Sequence, residues 1–158
     1  MKKYINLSLI IIFSFSSIGF CVDNAKVKNP VLSLSPDTRA LLLDEMNLLE
    51  KGMQRIFSAY ISGDWETLKS EGAKIKDSYI FKQKLTQAQK KELKAKLPAS
   101  FFKLDRKFHY LARKLRFAAD LKRSELAGFY YAQMGYACVE CHQNYAPHRF
   151  PDLIEEKE

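Results

Sequence analysis

The stretch that most constrains this chain is Cys138-Val139-Glu140-Cys141-His142. Two thiols separated by two residues and followed at once by an imidazole can add to both vinyl groups of one haem while the histidine reaches its iron. The spacing therefore reads as c-type haem attachment. On a helix, Cys138 and Cys141 fall three apart on one face with His142 beside them, so a porphyrin edge can run along that face with the imidazole nitrogen under the metal. Two other chemistries compete for these residues. A zinc knuckle would require a further cysteine or histidine close in space, and a Cys138–Cys141 disulfide suits a helical pair poorly.

The N-terminus supplies context for thioether chemistry. Lys2 and Lys3 precede an apolar run from Ile5 to Phe20, the charged-then-apolar order of a secretory signal. Gly19 and Cys21 place small residues at the third and last positions before a cut after Cys21, and a cut after Gly19 is the next choice. Phe20, where a lipidation box has a small residue, argues against a lipoprotein. Sixteen residues is shorter than the ~20 that span a bilayer. The expectation is a periplasmic protein, not membrane-spanning once residues 1–21 are removed. The remaining 137 of the 158 residues suit one domain, with a net charge of +6 against +8 for the whole chain. Positive charge concentrates between Lys90 and Arg116, which includes Lys103, Arg106, Lys107, Arg113 and Lys114. Such a stretch can steer an acidic redox protein, contact a membrane surface or simply be solvated. Export and the lack of a base-reading motif argue against nucleic acid.

Residues 22–34 lack periodicity and read as a flexible lead-in. Ser35 then serves as an N-cap with Pro36 at the first helical position and Asp37 favourable for the helix dipole. Leu42, Met46, Leu49, Met53, Ile56 and Tyr60 form the seam of a first helix that stops at Gly63. Asp64 caps a second helix with Trp65, Leu68, Gly72, Ile75 and Tyr79 on one side. The Gly72-Ala73 pair thins its middle, which suits close approach of another backbone or of a flat ligand. A short helical piece from Thr86 to about Lys96 precedes Pro98. The third long helix shows Phe101, Leu104, Phe108, Leu111, Leu115 and Ala118, and Ser124 caps a fourth carrying Leu126, Tyr130, Met134, Cys138, Cys141 and Tyr145. The short connections at Gly63-Asp64 and Lys122-Arg123 require antiparallel neighbours. The expected fold is thus all-α, an up-and-down four-helix bundle over residues 35–146 with haem c on the fourth helix and a tail from 147 to 158.

An attachment motif placed after three amphipathic helices resembles the class II cytochromes c, which include cytochrome c′ and its low-spin, methionine-ligated relatives. The resemblance covers about residues 35–145. It implies Cys138 and Cys141 as thioether positions, His142 as proximal ligand and, from the order Met46, Met53, Gly63, Met46 as distal ligand. It also implies that the bundle can form a homodimer. The match departs at Arg39, which lies two turns before Met46 where the family commonly has an arginine one turn before its distal residue. On chemistry alone, a thioether is a soft ligand suited to haem iron, whereas methionine on an apolar seam also serves as core filler. Met46 is the candidate distal ligand, with Met53 the alternative on the same face. His109 reads as a boundary histidine bonded to a neighbour, and His148 as exposed. Leu42, Leu49, Gly72, Phe108 and Met134 are the candidate haem-pocket residues.

No paired carboxylates, nucleophile elbow or phosphate loop accompanies the motif, so one covalent haem c is the single chemical centre to be expected. The leading expectation is a non-enzymatic carrier of single electrons with His/Met-ligated haem and a redox protein partner. The alternative is a five-coordinate, cytochrome c′-like protein binding NO or CO on a distal face lined by leucines. A peroxidase-like enzyme ranks third, because His109 is the one candidate distal acid-base group.

Overall fold

The computed structural model describes residues 29–154, and every described element is helical. The secretory-signal reading of residues 1–21, and residues 22–28 of the lead-in, lie outside the described residues. Helix α1 (Pro36–Ser62) starts where the sequence says it should: the Ser35 side chain accepts from the Thr38 amide, and Gly63 ends the helix in the left-handed conformation. Helix α2 (Trp65–Asp77) is capped by Asp64, whose carboxylate accepts from the Thr67 amide. A one-turn α3 (Phe81–Lys84) and α4 (Gln87–Lys96), with a Thr86/Gln89 capping box, carry the chain to α5 (Ala99–Asp120). Helix α6 (Ser124–Tyr145) follows; its N-cap position is Arg123 and no side chain caps it, so Ser124 is its first residue rather than its cap.

Helices α1, α2, α5 and α6 share one apolar core that includes Ile56, Leu68, Ile75, Leu115 and Met134, all fully buried. The α2–α5 and α5–α6 pairs pack most extensively, α1 lies on α2, and α1 touches α6 least. Gly72 explains the tight α2–α5 pair. A Cβ there would come within 3.2 Å of the Ala112 carbonyl oxygen and of the Arg116 backbone nitrogen. What approaches Gly72 is therefore another backbone, not a flat ligand. Among the expected pocket residues this places Gly72 in helix packing, and Phe108 and Met134 join it in the same core.

A second, smaller apolar cluster closes one end of the molecule. Leu34, Leu93, Leu97, Phe101 and Tyr145 bury one another there, with Val31, Leu42 and Cys141 packed against them. The end of the expected lead-in is accordingly fixed, not loose: Pro30–Ser33 form a 3-10 turn and Leu34 is buried. Apolar burial of Leu34 against α4 supplies an anchor that periodicity in so short a segment cannot reveal.

Three carboxylates hold α1 at three heights. Glu92 accepts from the Ser35 amide (2.6 Å), the Ser35 hydroxyl (2.8 Å) and the Thr38 hydroxyl (2.7 Å). Glu45, buried at mid-helix, accepts from the Ser78 hydroxyl (2.7 Å) and from the amides of Tyr79 (3.0 Å), Ile80 (2.8 Å) and Phe81 (3.0 Å). Ser78 sits at φ 63°, a conformation costly for a residue with a Cβ, and these bonds hold it there. Lower down, Glu71 of α2 accepts from Arg55 (2.8 Å), Lys74 (2.7 Å) and the Tyr79 hydroxyl (2.6 Å).

Burial by itself would push the Glu71 carboxyl up, but the bonds from Arg55, Lys74 and Tyr79 outweigh it and hold it at about 2, below the ordinary 4.5. A carboxyl depressed in the folded state contributes stability that is complete above pH 4.5 and lost as pH falls toward 2. Glu71→Gln should flatten part of the acid limb of a stability–pH curve, removing roughly 2 kcal/mol after allowance for the half-exposed partners. Glu45→Ala, which removes the acceptor of three amides and a hydroxyl, should cost about 3–5 kcal/mol in urea unfolding, and Glu45→Gln less.

Candidate functional site

Between the two apolar clusters lies a cavity of about 860 Å³, within the size range of pockets that enclose cofactor-sized molecules. Its two long walls are α1 and α6. These helices meet at one end, where the Phe57 and Tyr131 rings are 6.0 Å apart and the Tyr60 hydroxyl occupies the space a Cβ on Gly128 would need. Toward the other end they part, and the cavity opens between them. Leu42, Leu43, Met46, Leu49 and Met53 line the α1 side; Gly135, Cys138, Cys141, His142 and Tyr145 line the α6 side.

Helical periodicity selects that α6 set. Positions 135, 138, 142 and 145 recur at three and four, so one stripe of α6 faces the cavity throughout. Cys138 packs against the main core and Cys141 against the end cluster, so the two thiols flank the slot. Both are free thiols, and burial pushes each up to about 11. Burial also lowers the His142 imidazole, and the nearby Arg149 guanidinium lowers it further, which keeps a neutral ring with a lone pair to donate. Among the described residues no three His, Cys, Asp or Glu side chains converge on a bare metal ion.

Gly135 is the most telling wall residue. A Cβ built there would meet nothing within 4 Å, although the residue sits mid-helix, where glycine costs about 1 kcal/mol relative to alanine. The bare backbone leaves room for a flat group to lie against α6 one turn before Cys138.

The segment after α6 forms the remaining wall. Phe150 stacks on His142, with ring centroids 4.2 Å apart and planes 9° from parallel, and Gln143 donates to the Leu153 carbonyl at 2.7 Å. Arg39, Arg149 and His148 line the polar rim; Arg39 also donates to the Leu32 carbonyl at 3.3 Å, and Asn29 bonds the His148 ring at 2.7 Å. The 147–158 tail is thus docked as far as Leu153.

The cavity unites Cys138, Cys141, His142, Met46, Met53, Leu42 and Leu49 from the sequence-derived set, while Gly72, Phe108 and Met134 lie in the helix core outside its lining. His109 is also elsewhere: its Nδ1 donates to the Ile75 carbonyl at 2.6 Å and its Nε2 lies 3.3 Å from Asp105. The basic stretch from Lys90 to Arg116 is divided between α4 and α5, with Lys96 paired to Glu92 and Lys107 to Glu140. Gly135, Arg149 and Phe150 were not singled out from the sequence. Gly135 had a signal in its spacing of three from Cys138 and seven from His142; Phe150 had none, because the tail that returns it to His142 has no periodicity.

No protein-family model, curated protein or solved structure matches the chain.

Gly135→Leu should narrow the cavity at its α6 wall and at the same time improve α6 as a helix. The expected outcome is a thermal midpoint unchanged or raised, by up to about 1 kcal/mol of stability, together with an at least several-fold weaker uptake of an apolar dye by the cavity.

Proposed function

We propose that this chain is a class II cytochrome c: an up-and-down antiparallel four-helix bundle that is exported to the periplasm and carries single electrons through one covalent haem c. The observation that carries this reading is the cavity, because it brings the two thiols and the imidazole of α6 to face the two methionines of α1 across an apolar slot. Size, apolar walls and the open space over Gly135 fit a flat macrocycle.

Each residue has a distinct part in that reading. Cys138 and Cys141 would hold the haem by thioether bonds, and the His142 nitrogen and the Met46 sulfur would be its iron ligands. Phe150 restricts the plane of the His142 ring through their stacked contact. Arg39 and Arg149, at the rim, offer guanidinium groups to the carboxylates of the macrocycle. Leucines 42, 43 and 49 keep water from the slot, so charge changes there are felt in a medium of low dielectric. A haem bound in this way would supply a one-electron ferric/ferrous couple, at a potential that thioether and imidazole ligation together would raise.

A second reading rests on those leucines. With Met46 turned into the apolar wall, the α1 side would offer a dry pocket for a small uncharged gas, as in the cytochrome c′ branch.

An optical spectrum of the purified exported protein in both oxidation states separates the two. The carrier reading expects a low-spin spectrum in each state and slow, weak carbon monoxide binding. Acid-acetone should leave the haem with the protein; extraction of all of it would remove the covalent assignment. Met46→Ala should give a five-coordinate ferrous protein that binds carbon monoxide readily at a lowered potential. Met53→Ala should cost about 2–5 kcal/mol of stability with little spectral change. A high-spin ferrous wild type that binds carbon monoxide at once transfers the assignment to the gas-binding reading.

A further inference from the structure

The outward side of the α5–α6 pair carries a feature for which the cavity has no use. On α5, Lys103, Tyr110, Phe117 and Leu121 succeed one another by seven, seven and four, and so form one stripe. On α6, Leu126, Phe129 and Tyr136 do the same by three and seven. The 2.8 Å ion pair between Lys107 and Glu140 marks the antiparallel register. It sets Tyr110 level with Tyr136, Phe117 level with Phe129, and Leu121 beside Leu126 at the α5–α6 turn. All six apolar side chains are exposed, by 39% for Leu126 up to 68% for Tyr136. Scattered exposed apolar residues are ordinary, but an aligned row on two neighbouring helices marks a contact surface.

The row is flanked by positive charge. Lys103, Arg106, Lys122 and Arg123 are exposed around it, and the Arg113 and Lys114 head groups lie 5.0 and 5.4 Å from the centre of the Tyr110 ring. Two of the nearby acids are already taken, Glu140 by Lys107 and Asp120 by Lys69. The face is therefore apolar along its crest and cationic at its margins.

We propose that this face docks on an anionic phospholipid bilayer. Phenylalanine, tyrosine and leucine enter the boundary between headgroups and acyl chains, while lysine and arginine lay their stems along the apolar surface and reach the phosphates. The stripe from Lys103 to Leu121 is about 27 Å long at the helical rise, a straight crest suited to a flat surface rather than one compact cluster of anchoring residues. A second copy of the chain would bring like charges together at both margins, so charge complementarity selects an anionic surface. Gly135, Cys138 and His142 lie on a different side of α6 from Phe129 and Tyr136, so docking leaves the cavity mouth free. The inference is independent of what fills the cavity.

The test is co-sedimentation of the exported full-length protein with vesicles of phosphatidylcholine alone or mixed equally with phosphatidylglycerol, combined with lysine acetylation footprinting. The expected result is a preference of roughly tenfold or more for the anionic vesicles that weakens with salt, with Lys103 and Lys114 protected while Lys51 and Lys84 stay reactive. Phe117→Ser with Phe129→Ser, and separately Arg113→Glu with Lys114→Glu, should each lower partitioning about tenfold or more while helical circular dichroism is unchanged. Equal binding to both vesicle types, footprints away from α5, or indifference to the phenylalanine pair overturns the proposal. So does binding to polyglutamate without binding to vesicles, which would make the face a site for an acidic protein.

Discussion

The buried carboxylate of Glu45 is the interaction on which the geometry of this molecule depends. It ties the middle of α1 to the turn after α2 with four hydrogen bonds to consecutive residues 78–81. Together these bonds hold Ser78 in an unfavourable backbone conformation that itself costs about 1–3 kcal/mol. Glu45 precedes Met46. A slip of α1 by one residue would break all four bonds and turn the methionine by about 100°, out of the cavity wall. Glu92 above and Glu71 below restrain the same helix, so α1 is positioned by polar contacts as much as by apolar burial.

That matters because α1 gets little support from α6. A helix pair that packs along its whole length leaves no slot; here aromatic residues join α1 and α6 at one end, and Glu45, Glu92 and the small cluster around Leu34 and Tyr145 fix the other. The slot survives between them because the forces that place its walls act outside it. Its lining is correspondingly apolar, with Gly135 contributing bare backbone where a side chain would intrude. The neutral imidazole of His142, stacked on Phe150, completes a wall suited to a donor that must be held in one orientation.

The same helix serves two surfaces. Its cavity stripe holds the thiols and imidazole, and its outward stripe joins α5 in an exposed aromatic crest. Since 3.6 residues complete a turn, residues three or four apart share a side while neighbours do not, and one 22-residue helix can carry both without conflict.

Much of this was written locally in the sequence. Ser35, Pro36, Gly63, Asp64 and Thr86 mark helix ends because caps and left-handed turns depend on the residue at hand and its immediate neighbours. The grouping of Cys138, Cys141 and His142 on one stretch of α6 and of Met46 and Met53 on one face of α1 was legible for the same reason, since their spacing is fixed within single helices. What was not legible depends on which helices meet. Gly72, Phe108 and Met134 have the apolar or small character of pocket residues, and only the packing of α2 on α5 and of α6 on the core assigns them to helix contacts instead. Glu45 looks like any helical glutamate until residues 78–81 turn their amides toward it, and Phe150 finds His142 only because the tail folds back after Ala146. A sequence determines periodicity and caps because these are set within a few residues of chain; partners drawn from distant segments are set by three-dimensional packing, and that decided where the cavity is and what closes it.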